Sequence, residues 1–326
     1  KVSKAIFNFF YSEGMPLKTL IVIGGATASG KTATAISLAK HFNTSILSAD
    51  SRQCFREMNI GVAKPSREEL MEVKHHFIDS HSIQDEMSAG IYEKYGLQTL
   101  ASIFQTNDYA VCVGGTGLYL KALCEGIDEM PAINKDIEDH VHADYQSKGL
   151  SWLQQEVAIK DPLFFQQGEQ QNPHRLLRAL VFKLSTGTSI LTYRTQQIKQ
   201  RAFAIQYFAL DMPRELLYQR INDRVDQMIL AGLVEEVSNL SSFKHLKSLQ
   251  TVGYAELFDY LNQSISLELA IEKIKQHTRN YAKRQITWFK HQHQYQWISS
   301  NNDIKKMSTI NVPDAYYENI IHAINT

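Results

Sequence analysis

Short apolar runs alternate with amphipathic stretches in the first third of the chain. Residues Thr19 to Ile23 form an apolar, β-branched run that ends at a pair of glycines, and Thr32 to Lys40 follows with apolar residues at helical spacing. The runs Ser45 to Ala49 and Tyr109 to Val113 have the length and composition of buried strands. Strands that alternate with helices predict an α/β fold with a parallel sheet and helices on both faces.

The middle of the chain has a different pattern. Strand signals disappear between residues 127 and 201, where helical spacing prevails, and an apolar run at Phe203 to Leu210 again predicts a strand. We therefore predict a discontinuous core domain, residues 15–126 and 202–326, interrupted by a helical insertion domain at residues 127–201. Residues 1–14 are interpreted as an N-terminal extension without functional weight.

A phosphate-binding motif follows the first predicted strand. Residues Gly25 to Thr32 match G-x-x-x-x-G-K-[ST] and stand between a strand and a helix, which is the setting that the motif requires. The backbone N–H groups of such a loop turn toward phosphate oxygens, Lys31 adds a full positive charge, and Thr32 can bind Mg²⁺. The loop predicts a P-loop NTPase-like fold, a class that includes many nucleotide-binding and ATP-binding proteins. The predicted diphosphate-binding residues of the loop are Gly25, Ala26, Thr27, Ala28, Ser29, Gly30, Lys31 and Thr32.

The candidate carboxylate lies after the second predicted strand. Asp50 stands at the carboxyl end of that strand, where open parallel sheets place their ligand crevices. We interpret it as a general base or as a carboxylate beside a metal ion, and the alternative is a helix N-cap. The strand at Tyr109 to Val113 leads instead into glycines, without the acid that many NTPases use to hold Mg²⁺.

Charge is segregated along the chain although it balances overall, with 34 Lys and Arg against 34 Asp and Glu. Residues 171–201 and 273–290 carry Lys and Arg but no Asp or Glu, whereas residues 127–161 are mostly acidic. Acid-free basic segments are typical of a surface that binds a polyanion such as RNA. Such runs are also common on ordinary solvated helices, so this pattern alone leaves both interpretations open.

Other chemistries have weaker support in the sequence. Three cysteines without a C-x-x-C pair favour neither a disulfide framework nor a cysteine zinc site, and a reducing cytoplasm fits best. No apolar run approaches the ~18 residues of a membrane span, so we expect no membrane association. The pair His291 and His293 lacks a neighbouring carboxylate or cysteine, and His75 and His76 are expected to pack near the sheet, so we predict no histidine metal site.

These segments together resemble the bacterial tRNA dimethylallyltransferase family. Gly25 to Thr32 is similar to the family's G-P-T-A-S-G-K-T, Asp50 to Gln53 resembles its D-S-x-Q, and Asn59 to Pro65 is close to D/N-I-G-T-A-K-P. Further blocks follow in the family's order at His75 to Asp79, Val113 to Tyr119, His174 to Leu180, Val252 to Tyr254 and Lys283 to Trp288. The order of these blocks is far more specific than any one of them.

The chain departs from the family pattern at several positions. Ala26 replaces the usual proline of the phosphate loop, Val62 replaces a threonine, and Phe55 stands where tyrosine is common. Glu138 falls where bacterial relatives often have an arginine that contacts tRNA, which puts that contact in doubt. No zinc-finger spacing of Cys and His follows Trp288, so the resemblance is to the bacterial form.

The resemblance implies transfer of a dimethylallyl group from dimethylallyl diphosphate to N6 of adenine-37 in tRNAs that read codons beginning with U. Diphosphate is released, and a carboxylate near N6 is needed to take its proton, a role that we assign to Asp50. Arg220 and Arg224 share one face of a predicted helix, and the second is implied as a diphosphate ligand. The implied catalytic residues are Asp50, Thr32 and Arg224, with Mg²⁺ as cofactor.

The resemblance also implies a long tRNA-binding set and a simple assembly. Gln53 is expected to read the N6 and N7 edge of the flipped adenine, and Thr116 to lie near that base or simply to serve the turn. We expect a cytoplasmic monomer with two partners, the tRNA anticodon stem-loop and dimethylallyl diphosphate. The alternatives are a P-loop kinase of small molecules and an RNA-binding protein without catalysis. The predicted tRNA-binding residues are Asp50, Ser51, Arg52, Gln53, Thr116, His174, Arg175, Leu176, Leu177, Arg178, Gln250, Thr251, Val252, Gly253, Tyr254, Ala255, Lys283, Arg284, Gln285, Ile286, Thr287, Trp288, Phe289 and Lys290.

Overall fold

The computed structural model of the chain describes residues 18–195 and 197–298. The strands are β1 (Thr19–Gly25), β2 (Ile46–Ser48), β3 (His75–His76), β4 (Tyr109–Gly114), β5 (Ala204–Leu210) and β6 (Gln296–Ile298). The α-helices are α1 (Lys31–His41), α2 (Arg67–Glu72), α3 (Ala89–Ile103), α4 (Gly117–Glu125), α5 (Lys135–Lys160), α6 (Pro162–Gln167), α7 (Pro173–Thr186), α8 (Arg214–Leu230), α9 (Leu233–Asn239), α10 (Tyr254–Leu261) and α11 (Leu267–Lys290). Two short 3₁₀ helices occupy Ile190–Tyr193 and Ser241–Phe243.

The strands form one parallel sheet in the order β3-β2-β4-β1-β5-β6. The central strand β1 pairs with β4 on one side and β5 on the other, so that Ile23 lies opposite both Val113 and Phe208. All seven residues of β1 are buried, without the alternation of a one-sided sheet, as expected for a parallel sheet covered on both faces. The predicted α/β, P-loop NTPase-like architecture is confirmed.

Each face of the sheet carries its own apolar core. Leu20 and Val22 of β1 pack into one cluster, which includes residues of α3 and α4, and Ile21 and Ile23 pack into the other, which includes α1. This division follows from the strand geometry, since successive side chains point to opposite faces. Burial of each such side chain stabilises the fold by about 1.5–3 kcal/mol.

The described residues divide into two compact units. One unit contains the residues up to Glu125 together with those from Gln200 onward, and the other contains Gly126–Lys199. Helices α5, α6 and α7 form the second unit around a separate apolar core that includes Leu153, Val157 and Leu180. Each unit therefore buries its own apolar residues. The predicted 1–14 extension lies outside the described residues.

Two strands were not expected from the sequence. β3 has two residues and β6 has three, too few for a period of apolar positions to be recognised. His75 and His76 form β3, where His75 Nδ1 bonds the Val73 carbonyl and His76 Nε2 bonds Ser45 Oγ. In the ranges that the structure describes, no group of three His, Cys, Asp or Glu is arranged to hold a metal ion. In the same ranges, none of the helices has the length and apolarity to cross a bilayer.

Candidate active site

A cavity of about 690 Å³ opens beside the carboxyl ends of β1, β2 and β4, entirely within the first unit. Its walls come from the phosphate loop, from the loop that carries Asp50, from the segment Asn59–Pro65, and from α8 and α11. Ligand sites in open parallel sheets lie at this edge, because the loops that follow the strands gather there. Segments distant in the sequence thus meet in one cavity.

The phosphate loop closes on itself before α1. Gly25 and Gly30 have φ values of +143° and +87°, and Ala28 has a φ of +64°. Ser29 donates twice to the Ala26 carbonyl, through its N–H at 3.3 Å and its hydroxyl at 2.8 Å, and Lys31 Nζ also donates to that oxygen. Burial lowers the pKa of Lys31 to about 7, Arg224 contributes to the lowering, and Asp50 opposes it.

A buried amide from α11 joins the phosphate loop to the glycine-rich turn after β4. Gln285 Oε1 accepts the Thr27 N–H at 2.8 Å, and its Nε2 donates to the Gly115 carbonyl at 2.9 Å. A β-carbon at Gly115 would collide with the Gln285 amide. The family resemblance implied that Gln285 contacts tRNA. However, Gln285 is only 6% exposed, and both ends of its amide form hydrogen bonds inside the protein.

Two aromatic residues one helical turn after Gln285 also pack closely against glycines. A β-carbon at Gly24 would collide with the Phe289 ring, and one at Gly117 would collide with the Trp288 ring. Both glycines flank the cavity loops, at the end of β1 and at the start of α4. The segment Lys283–Lys290 therefore has an inner side that fixes these loops.

Asp50 lines the cavity and uses one of its two carboxylate oxygens within the protein. Its Oδ1 accepts the Arg52 N–H at 2.8 Å and the Gln53 N–H at 3.3 Å, which closes a turn. No described helix begins at this turn, so the interpretation of Asp50 as a helix cap is wrong. Among the described residues, Oδ2 has no hydrogen-bond partner, and Asp50 lines the cavity that the phosphate loop also lines.

Thr116 and Tyr281 lie beside this carboxylate. Thr116 Oγ1 accepts the Ser51 N–H at 3.0 Å and donates to Ser51 Oγ at 3.4 Å. Burial raises the pKa of Tyr281 to about 12, and the charge of Asp50 contributes to that rise. Sequence reasoning missed Tyr281, although it stands four residues before Gln285 on a helix and so shares its face. The cavity-facing residues of α11 are Ile274, Thr278, Tyr281 and Gln285.

Arg220 and Arg224, two of the three arginines of α8, have different surroundings. Arg224 lines the cavity, and its Nη1 donates to Thr27 Oγ1 at 3.4 Å. Arg220 lies outside the cavity wall, with Nη1 3.8 Å from the Met212 sulfur, and its buried Nη2 has no partner among the described residues. Of these two arginines, Arg224 has a hydrogen bond to the phosphate loop among the described residues, and direct binding of the diphosphate by Arg220 stays a prediction.

Several predicted tRNA contacts are core residues instead. The sequence blocks are contiguous stretches of helix, so each contains one inward and one outward face. The side chains that are buried, and so are corrected here from RNA contacts to packing residues, are Leu176, Leu177, Tyr254, Gln285 and Phe289. The exposed residues of the predicted tRNA-binding set are His174, Arg175 and Arg178 on α7, Lys283, Arg284, Thr287 and Lys290 on α11, and Gln250.

The other predicted base contact, Gln53, is engaged within the protein. Its Nε2 donates to the carbonyls of Val62 and Ala63 at 3.3 Å and 2.9 Å, and its Oε1 accepts from Ser48 Oγ at 3.4 Å. To bind the adenine edge, Gln53 would have to exchange these hydrogen bonds for bonds to the base. Its role in base recognition therefore stays a prediction.

A parallel sheet with a glycine-rich phosphate loop before α1 defines a protein of the P-loop NTPase-like fold class. The family model described as IPP transferase matches residues 53–292. A tRNA dimethylallyltransferase of Christiangramia forsetii is 42% identical over 288 residues, covering 88% of this chain and 95% of that protein. A tRNA dimethylallyltransferase 1 of Bacteroides thetaiotaomicron is 41% identical, covering 86% of this chain and 92% of its own. The chain belongs to the IPP transferase family.

Solved structures agree with this assignment. The full-length tRNA isopentenylpyrophosphate transferase from Bacillus halodurans superposes with a TM-score of 0.66 at 32% identity, covering 95% of this chain and all of that one. A eukaryotic dimethylallyltransferase acting on tRNA superposes with a TM-score of 0.71 at 23% identity, which shows the shared fold.

Proposed function

We propose that the protein transfers the dimethylallyl group of dimethylallyl diphosphate to N6 of adenine-37 in tRNAs that read codons beginning with U. The products are N6-isopentenyladenosine in the tRNA and free diphosphate. The observation that carries this proposal is that the phosphate loop and the unengaged Oδ2 of Asp50 line one cavity. A group donor bound by its phosphates thereby lies within the same enclosed space as a candidate base.

The lining of the cavity fits an allylic diphosphate. Lys31 and Arg224 supply positive charge at the phosphate loop, where backbone N–H groups and the start of α1 favour anions. Apolar side chains line another part of the cavity, and they offer a hydrocarbon chain a place away from water. These apolar residues are Ile60, Val62, Met228, Leu233, Val252 and Ile274.

The reaction follows from the needs of the two substrates. The adenine amine is a poor nucleophile, since its lone pair is delocalised, and Asp50 Oδ2 takes its proton as the bond from N6 to the allylic carbon forms. The bond from that carbon to the bridging oxygen breaks, and its electron pair stays on the departing diphosphate. Lys31, Arg224 and the loop N–H groups stabilise the negative charge that develops there.

The residues present also fit Mg²⁺. Thr32 lines the cavity at the start of α1, and its hydroxyl is a hard oxygen ligand of the kind that Mg²⁺ prefers. Magnesium is usually held by one or two protein groups together with substrate phosphates and water, so a dedicated carboxylate cluster is not required. When bound, the ion neutralises charge on the diphosphate and makes it a better leaving group.

The exposed basic faces of α7 and α11 support tRNA as the acceptor. On the second unit, desolvation lowers the pKa of Arg194, and the nearby charges of Arg178 and Arg175 lower it further. Glu138, in contrast, pairs with Lys135 at 3.1 Å, so its charge is offset within α5. We propose that the tRNA phosphates bind these faces and that adenine-37 turns out of its stack into the cavity.

We propose that a monomer is the acting species. The cytoplasm, where tRNA is used, is the proposed location.

The test is a transfer assay with labelled dimethylallyl diphosphate, Mg²⁺ and unmodified tRNA. Label is expected in tRNA whose anticodon ends in A and is followed by A, and ATP is not expected to replace the donor. Adenosine monophosphate, offered as the acceptor in a parallel reaction, distinguishes a tRNA enzyme from one that modifies free nucleotides. Phosphorylation of a metabolite without any label in RNA would instead identify a P-loop kinase.

A further inference from the structure

A single carboxylate of α9 holds three consecutive backbone N–H groups of the cavity wall. Glu236 accepts from the N–H groups of Asn59, Ile60 and Gly61 at 3.1, 2.8 and 3.1 Å. It also accepts the hydroxyl of Tyr254 at 2.6 Å, so four donors converge on one side chain. Hydrogen bonds to a charged acceptor are the stronger kind in proteins.

The approach of this loop to Tyr254 is as close as packing allows. A β-carbon at Gly61 would lie 2.6 Å from the Tyr254 ring and 2.9 Å from the Leu233 side chain. Tyr254 is fully buried, so its hydroxyl reaches Glu236 from within the core. The carboxylate and the ring therefore fix the loop in a single position against α9 and α10.

The opposite edge of the same loop is held as well. Gln53 donates to the carbonyls of Val62 and Ala63, and Lys64 Nζ donates to the Phe55 carbonyl at 2.7 Å. The N–H groups at the start of the loop and the carbonyls near its end thus both have side-chain partners. A loop with this many fixed bonds is a rigid wall rather than an adaptable one.

The loop contributes apolar side chains to the part of the cavity assigned to the hydrocarbon. Ile60 and Val62 line that part together with Leu233, which begins the helix of Glu236. A cavity wall can exclude a longer hydrocarbon chain only if it is rigid, because a flexible wall moves to accommodate extra methylenes. One methylene is worth about 10- to 200-fold in discrimination in a well-formed apolar pocket.

We infer that Glu236 and Tyr254 are positioning residues that set the size of the allyl subsite, so that the five-carbon donor is accepted and longer isoprenoid diphosphates are refused. Neither side chain touches the reacting atoms in this scheme. They act through Ile60 and Val62, whose backbone they hold. The inference rests on the proposed function for the identity of the donor.

The experiment compares binding of two unreactive donors, the thiolodiphosphate analogues of dimethylallyl and geranyl diphosphate, by calorimetry. Glu236→Gln places amide hydrogens among N–H donors and releases the loop, and Tyr254→Phe removes one bond while it keeps the ring packing. The preference for the shorter analogue is expected to fall about tenfold or more in Glu236→Gln, on the scale of one methylene, and less in Tyr254→Phe. Glu235→Gln, at the exposed neighbour on α9, is the matched control and should keep the native preference.

Hydrogen exchange of the amides of residues 59–61 supplies a readout that does not depend on turnover. Faster exchange there, together with a reduced preference and an unchanged affinity for tRNA, supports the inference. An unchanged preference in Tyr254→Phe and in folded Glu236→Gln overturns it. An equal loss of affinity for both analogues also overturns it, since that pattern indicates a loss of structure and not a loss of selectivity for chain length. If the native protein prefers the short analogue but never labels tRNA, the proposed function fails while the assignment of the subsite stands.

Discussion

The two parts of the cavity differ in how far the protein satisfies their backbone groups. At the phosphate loop, the Ala26 carbonyl and the Thr27 N–H have side-chain partners, but no side chain caps the start of α1, and its N–H groups are left for a ligand. At the loop Asn59–Lys64, the protein itself supplies the partners, through Glu236 and Gln53. The difference follows from the proposed donor, because a diphosphate brings acceptors of its own and a hydrocarbon chain brings none.

The largest effect is expected at Asp50, the candidate base of the cavity. Asp50→Asn keeps an oxygen that can close the turn but removes the base, so turnover is expected to fall about 10²- to 10⁴-fold. The measurement is single-turnover transfer at saturating substrates, with tRNA affinity measured beside it. A variant that loses tRNA binding and keeps its rate at saturation would contradict the role of Asp50 as base.

The second-largest effect is expected at Arg224, which tests the binding of the donor's diphosphate at the phosphate loop. Arg224→Ala removes the one arginine of α8 that reaches the phosphate loop, and a charge-assisted bond is worth about 1.5–3 kcal/mol. The affinity for the donor analogue is expected to fall about 10- to 100-fold. Arg220→Ala is the comparison variant, and its affinity should change less because Arg220 lies outside the cavity wall. Equal losses in both variants would support Arg220 as a direct ligand.

A third substitution tests whether the phosphate loop depends on α11. Gln285→Leu leaves the Thr27 N–H and the Gly115 carbonyl without their present partners, at a cost of about 1–3 kcal/mol for an unsatisfied buried group. Because two groups lose their partners, the free energy of unfolding should decrease by at least that amount, and KM for the donor should rise while KM for tRNA changes little. The exposed neighbour Arg284→Ala should give the reverse pattern. A rise confined to KM for tRNA in Gln285→Leu would return this residue to the RNA-contact set.

The smallest effect is expected on the outer face of α11. Lys283→Ala removes one exposed charge, which should weaken tRNA binding a few-fold and reduce the slope of log affinity against log salt by about one. Titrations at several salt concentrations measure this slope, and donor affinity serves as the internal reference. An unchanged slope would remove Lys283 from the RNA surface.

Elements with a strong local pattern could be predicted from the sequence. β1, the phosphate loop and α1 are contiguous, and most residue types there match their conformational task, with Ala28 at a φ of +64° as an exception. Asp50 was predicted at a sheet edge because parallel strands end together, and it does line the cavity. Local rules were sufficient for these residues.

The remaining features depend on partners that are distant in the chain. Glu236 meets residues 59–61 across about 175 positions, and no local pattern marks a carboxylate for that task. The runs of matching residues in α7 and α11 contained inner and outer faces together, and only packing shows that Phe289 is inside while Lys290 is outside. Helical periodicity applied to these runs would have separated the two faces.

The contacts of Gln285, Trp288 and Phe289 with glycines near the phosphate loop have a consequence for biosynthesis. A ribosome makes β1 and the loop early and the segment that braces them much later. The nascent chain therefore carries the phosphate loop without this brace until the α11 segment has left the exit tunnel.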